Sequence, residues 1–146
     1  MSDNLKDFYQ EIILEHSKSP RNFKEMQSPS CCGNGHNTSC GDKLKVCLKL
    51  NEKKEVEDIS FSGIGCAISL ASASLMTEAI LHKSFDEANK IFQNFHSMLT
   101  KECSFECKNM QEEKLKVFCS LKDYPSRVKC ATLPWHAMIQ AFEEKK

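Results

Sequence analysis

Neither charge is in surplus: the 146 residues hold 20 Lys and Arg against 20 Asp and Glu. A chain without a basic excess has no electrostatic drive toward nucleic acid or an anionic membrane. No apolar run approaches the length of a membrane span, and the opening Met-Ser-Asp-Asn-Leu-Lys lacks the hydrophobic region of a signal sequence. These absences predict a cytoplasmic protein with neither nucleic-acid nor membrane partners. Repeats and low-complexity segments are missing too, and the length suits one domain over residues 1–146. A disulfide framework fits poorly, because the nine cysteines are an odd count and a reducing compartment keeps them as thiols. Lys43, Lys45, Lys49, Lys53 and Lys54 cluster, but the first three alternate with Leu44, Val46, Leu48 and Leu50. They read as the wet face of a strand in preference to a phosphate-binding patch.

Periodicity supplies the elements. Leu5, Phe8, Tyr9, Ile12, Ile13 and His16 recur on one helical face, predicting a helix from Asp3 to Ser17 that Pro20-Arg21-Asn22 ends. Residues 24–39, rich in Ser, Pro, Gly and Asn, read as loop with room for one short strand. Alternation from Lys43 to Leu50 predicts a strand, and Val56–Ser62 its antiparallel partner, broken by Gly63-Ile64-Gly65. From Cys66 to His82 the residues are small or apolar nearly all round, the pattern of a buried central helix. Ser84-Phe85-Asp86-Glu87 matches a capping box for the next helix, whose apolar face runs from Ala88 to Leu99. Leu115, Phe118 and Leu121 suggest a short helix, and Trp135, Met138, Ile139 and Phe142 a last one with Pro134 in its first turn. The expected class is α+β: a small antiparallel sheet of about three strands packed against helices.

Three cysteines stand at element ends. Cys40 lies in Ser39-Cys40-Gly41-Asp42 before the first clear strand, Cys66 follows Gly63-Ile64-Gly65, and Cys130 is read at the entry to the last helix. At helix entries the dipole and free N–H groups stabilise a thiolate. Three thiolates with the Asp42 carboxylate make a tetrahedral zinc set. No CxxC pair is present, so spacing alone leaves open a metal site or three unrelated buried thiols. His16 reads as a packed or capping residue, and His36, His82, His96 and His136 have no supporting pattern. Cys31, Cys32, Cys47, Cys103, Cys107 and Cys119 read as ordinary cytosolic thiols. Among them Cys47 shares the lysine face and is open to adventitious oxidation, and Cys103 and Cys107 share a helix face.

The order of motifs decides between the two. Tyr9, His16 and Pro20-Arg21-Asn22, then Cys40-Gly41-Asp42, then Gly63-Ile64-Gly65-Cys66-Ala67-Ile68-Ser69 running into Ala71–Ile80, then Arg127-Val128-Lys129-Cys130-Ala131-Thr132-Leu133-Pro134-Trp135 resemble the NifU N-terminal/IscU-like family across nearly the whole chain. The long interval from Cys66 to Cys130, Lys129 where the IscU scaffolds have histidine, and Arg127 resemble its SufU branch. Thr38, two before Cys40, departs from the proline of many relatives. The resemblance implies an IscU/NifU-like fold and a first shell of Cys40, Asp42, Cys66 and Cys130 around Zn2+.

It also implies iron–sulfur cluster assembly, with sulfur accepted from the persulfide of a pyridoxal-phosphate cysteine desulfurase (SufS-like) and passed to a downstream scaffold or apo-protein. Cys40 is the expected acceptor, because a loop thiol can swing while helix-anchored Cys66 and Cys130 cannot. Docking is expected to release it by supplying a substitute ligand. Asp42 is the hard, exchangeable ligand, and Arg127 is expected to hold Asp42 or steer the anionic persulfide. Two rivals stand beside this reading. One is a scaffold holding iron or a [2Fe–2S] cluster on the same cysteines; the other is a structural zinc module used only for binding.

Overall fold

The computed structural model describes residues 2–101 and 110–144. Cys103, Cys107 and the side chain of Leu5 lie outside what it describes. In chain order the elements are α1 (Ser2–Lys18), β1 (Cys31–Asn37), β2 (Asp42–Leu50), β3 (Val56–Ile64), α2 (Ala67–Ile80), α3 (Phe85–Thr100), α4 (Met110–Lys114), a 3₁₀ helix (Leu115–Asp123) and α5 (Pro125–Glu144). The three strands form one antiparallel sheet in the order β1-β2-β3. Alternation puts Leu44, Val46, Leu48, Ile59 and Phe61 on one face, all buried, and α5 lies over that face along β1 and β2. Helix α2 packs between α1 and α5 with ten of its residues buried, so it is the central helix its composition predicts.

Where structure and sequence differ, tertiary contact has overridden local pattern. The one short strand for which residues 24–39 left room is Cys31–Asn37, seven residues long although its composition disfavours a strand. Its glycines explain this: a Cβ on Gly33 would land on the Ala137 carbonyl oxygen and 2.7 Å from Ala141 N, and one on Gly35 would sit 3.1 Å from Leu133. Small residues at these two places let α5 lie directly on the strand, and Gln140 Oε1 accepts from the edge amide of Asn34 at 2.7 Å. Strand β3 does not break at Gly63. That glycine, at φ +121°, keeps its place opposite Leu44 where any Cβ would strike the Lys43 carbonyl. The spacing of three through Leu115, Phe118 and Leu121 is built as 3₁₀ helix, in which every third residue lies on one line.

Two expectations are corrected. Helix α5 begins at Pro125, so Pro134 lies deep inside it, not in the first turn. Lacking an N–H, Pro134 cannot donate to the carbonyl four residues back, which belongs to Cys130. The cysteines are also not all thiols: Cys32 and Cys47, directly opposed on β1 and β2, form a disulfide, and Cys119 is disulfide-bonded as well. Cys47 does lie on the lysine-bearing face, yet it is buried there beside its partner.

The Pro20-Arg21-Asn22 segment does more than end α1. Asn22, at φ +62°, gives its side-chain amide to Thr77 Oγ1 (2.9 Å) and its carbonyl to Phe61 N–H (3.0 Å). Arg21 N–H donates to Ser74 Oγ at 2.8 Å, and the same hydroxyl shares a hydrogen bond with His16 Nδ1, 2.7 Å away. His16 is buried, and burial holds its pKa below the usual value; Arg21 and Lys114 push the same way, while Glu78 and Glu15 oppose them. The folded state therefore binds fewer protons than the unfolded one. The stability this provides is present above the unfolded pKa of about 6.5 and is lost as pH falls through it. His136, depressed by burial and then by His96, contributes with the same sign. Urea titrations of the chelator-treated chain are expected to show a midpoint that falls between pH 7.5 and 5.5. His16→Gln should flatten that slope without abolishing it, and an unchanged slope would refute the assignment.

Candidate metal centre

Cys40 is presented by the turn between β1 and β2. Asn37, the last residue of β1 and the partner of Asp42, holds that turn: its Oδ1 accepts from Ser39 N–H (3.2 Å) and its carbonyl from Cys40 N–H (3.3 Å). Gly41, at φ +71°, supplies the left-handed step. A Cβ there would meet nothing within 4 Å, so the glycine serves backbone conformation and not space. The stretch from Cys40 to Asp42 is thus a turn, and it brings both side chains to one place.

Asp42 opens β2 and is 1 % exposed. Its buried carboxylate is satisfied by Cys66, whose N–H donates to Oδ1 at 2.9 Å while its Sγ lies 3.7 Å from Oδ2. Cys66 is the N-cap of α2, and its sulfur accepts from Ser69 N–H at 3.5 Å. The expected thiolate-stabilising helix N-terminus is therefore present at Cys66. It is absent at Cys130, the sixth residue of α5, which is buried. Burial first, and then the Cys40 and Cys66 thiols, push the Cys130 thiol well above its usual range, so the metal-free site keeps that proton.

Three of the four side chains meet in one set. Cys40 Sγ and Cys130 Sγ are 3.3 Å apart, and with an Asp42 oxygen they form a set whose ligand atoms all lie within 4.8 Å of one another. Cys66 lies outside that set and borders it through its contact with Asp42. Tetrahedral bonds of about 2.0–2.3 Å put ligand atoms roughly 3.3–3.8 Å apart. The 3.3 Å and 3.7 Å contacts fit that shell, and the donors are three soft sulfurs and one hard oxygen.

Arg127 stands elsewhere than against Asp42. It is exposed one turn before Cys130, its guanidinium 5.0 Å from the Tyr124 ring centroid, and among the described residues no ion pair joins it to Asp42. Lys129 is exposed as well. His16 is a packed residue, as read, and among the described residues no histidine belongs to the cluster. Sequence reasoning missed Asn37 and Ser69, the residues whose N–H groups face the sulfurs of Cys130 (3.8 Å) and Cys66. The available signals were an Asx-turn residue three before Cys40 and a residue three after an N-cap.

Comparison with known proteins places these features in context. The family model for the NifU-like N-terminal domain matches residues 8–131. The zinc-dependent sulfurtransferase SufU of Bacillus subtilis (strain 168) is 35% identical over 135 residues, spanning 92% of this chain and 89% of that protein. The iron–sulfur cluster assembly scaffold protein IscU of Thermotoga maritima is 34% identical over 143 residues, 96% of each chain. Among solved structures, a candidate iron–sulfur cluster assembly scaffold protein for the SUF system from Fervidobacterium islandicum AW-1 superposes with a TM-score of 0.80. It shares 31% identity, with 90% of this chain and 94% of that one covered.

Proposed function

This chain belongs to the family of NifU-like N-terminal domains, and we propose that it serves iron–sulfur cluster assembly as a zinc-dependent sulfur acceptor working with a pyridoxal-phosphate cysteine desulfurase in the cytoplasm. One observation carries the reading: the sulfurs are unequal. Cys40 is exposed on a turn, Cys66 is half-buried at a helix N-cap, and Cys130 is buried within a helix. Only the first can reach the active site of another protein without unfolding its own element.

The transfer step is thiol exchange. The Cys40 thiolate attacks the outer sulfur of the desulfurase persulfide, the S–S bond to the desulfurase cysteine breaks, and that cysteine leaves as thiolate. Cys40 is left carrying a persulfide, to be passed to a downstream scaffold or apo-protein. When bound, the metal keeps the site's thiols deprotonated near neutral pH. Cys66, Cys130 and Asp42 hold it, and the Cys66 N–H keeps the Asp42 carboxylate oriented. Zinc is our assignment because Lys129 stands where the cluster scaffolds of the family have histidine. Arg127, exposed one turn before Cys130 and free of Asp42, is suited to steering an anionic persulfide. Ile64, two residues before Cys66 and 75% exposed, is an apolar anchor for a docking partner.

Scaffold relatives match equally well, which keeps cluster assembly on the same cysteines as the second reading. The test is anaerobic purification, metal analysis, and desulfurase turnover with wild type and Cys40→Ala. Stoichiometric zinc, strong stimulation by wild type and essentially none by Cys40→Ala are expected. A cluster chromophore transferable to an apo-protein would overturn the acceptor reading in favour of the scaffold. Retained metal with no stimulation and no persulfide on Cys40 by mass spectrometry would leave a binding module.

A further inference from the structure

We propose that Asn37 is a positioning residue of this site, one that holds Cys130 as a fixed ligand through an N–H···S bond while its other groups aim Cys40 outward. The inference rests on the acceptor reading above, and it starts from the orientation of one amide. Ser39 N–H can donate only to an acceptor, so the atom 3.2 Å from it is the Asn37 oxygen. The amide nitrogen then faces Cys130 Sγ at 3.8 Å, and a primary amide nitrogen only donates. The same residue accepts Cys40 N–H on its carbonyl at 3.3 Å. Asn37 thus bonds to the loop at Ser39 and at Cys40 itself, and to the sulfur opposite.

The pattern around the three sulfurs is asymmetric. Cys130 receives the Asn37 amide and Cys66 receives Ser69 N–H. Among the described residues no N–H or hydroxyl donates to Cys40 Sγ, whose polar contact is Cys130 Sγ. A hydrogen bond to a thiolate withdraws charge from it, fixes its direction and lowers its nucleophilicity. Asn37 therefore quiets the buried sulfur and leaves the exposed one as the reactive member. Because the bond and the turn come from a single side chain, Cys40 can pivot away while Cys130 stays in place.

Two substitutions separate this role from mere support of the turn. Asn37→Asp keeps an oxygen for Ser39 N–H and so keeps the Asx turn, but it has no N–H for Cys130; Asn37→Ala loses both. The chain is loaded with cobalt(II) chloride, and its affinity and sulfur-to-cobalt charge-transfer absorption are read with thermal stability as a control. Both variants are expected to bind cobalt about 10–100-fold more weakly, the usual effect of losing an outer-shell partner. Their charge-transfer bands should move to longer wavelength as the Cys130 sulfur becomes the better donor, while Asn37→Asp melts close to wild type. Wild-type affinity and band position in Asn37→Asp would overturn the proposal, since a purely structural residue is replaced there without loss. Neither readout uses the desulfurase. A wild type that stimulates no turnover counts against the acceptor reading alone, and an unshifted cobalt spectrum against Asn37 alone.

Discussion

Cys130→Ala is expected to yield a folded chain that no longer holds stoichiometric metal, whereas Cys40→Ala retains it. Both remove one sulfur of three, so the difference comes from what replaces the sulfur. Cys40 is exposed, and water can take its place, leaving three protein ligands and an open position as in catalytic zinc sites. Cys130 is 3% exposed, with Cys40, Asn37 and the body of α5 around it. Alanine there leaves a gap that offers no ligand and admits no ordered water shell. Structural zinc sites bind with about 10–16 kcal/mol, so one irreplaceable ligand of four is worth roughly 3 kcal/mol, or a factor of about 100 or more. The metal-free fold loses little, because the Cys130 thiol already behaves there as a small protonated core group. Competition against a chromophoric chelator measures the affinities. Melting with and without EDTA should show a large chelator effect in wild type and Cys40→Ala and none in Cys130→Ala. Equal affinities for the two variants would sink the division into anchors and a mobile ligand.

Much of this arrangement was readable from the chain, and the misreadings have a common cause. Period and capping residues located α1, β2, β3, α2 and α3, because each carries its own signal: alternation in Asp42–Leu50, and Ser84 and Glu87 capping each other at the start of α3. What was misread or left open was whatever depends on a distant partner. The strand Cys31–Asn37 exists because α5 lies on Gly33 and Gly35, and no local pattern announces a helix about a hundred residues ahead. Pro134 looked like a helix start because a proline inside a helix costs about 3 kcal/mol. Burial of Leu133, Trp135 and their neighbours offsets that cost. The Cys32–Cys47 bond depended on register: Cys32 meets Cys47 only in the one alignment that also places Asn37 opposite Asp42. The candidate ligands themselves were legible through the motifs flanking each one. Their supporting shell was not, because Asn37 and Ser69 act through direction and distance.

Trp135→Ala is expected to leave a chain that is marginally stable and partly unfolded without metal and folded with it. The indole is fully buried, stacked between Phe95 (centroids 4.9 Å) and Phe92 (6.0 Å). Its Nε1–H donates to Ser72 Oγ at 3.1 Å, and the Ser72 hydroxyl donates to the carbonyl of Ala131, the residue after Cys130. One side chain therefore joins the core, α2 and the turn of α5 that carries a ligand. Truncating a buried Trp costs about 3–5 kcal/mol, which consumes most of the stability of a chain at the lower end of the usual range of about 5–15 kcal/mol. No ligand is touched, so the folded form still binds zinc. Zinc at a thousand times its dissociation constant returns about 4 kcal/mol, close to the loss. Circular dichroism during a zinc titration should show helix regained in Trp135→Ala, and no change in wild type, which is already folded. Trp135→Phe keeps the ring stack and loses only the bond to Ser72, so it should stay folded without metal at reduced stability. A Trp135→Ala chain that is stable in EDTA would mean that the α2–α5 joint does not depend on the indole. Failure of zinc to refold it would mean that Cys66 and Cys130 cannot be brought together without that joint, making Trp135 a condition for assembling the metal centre as well as the core.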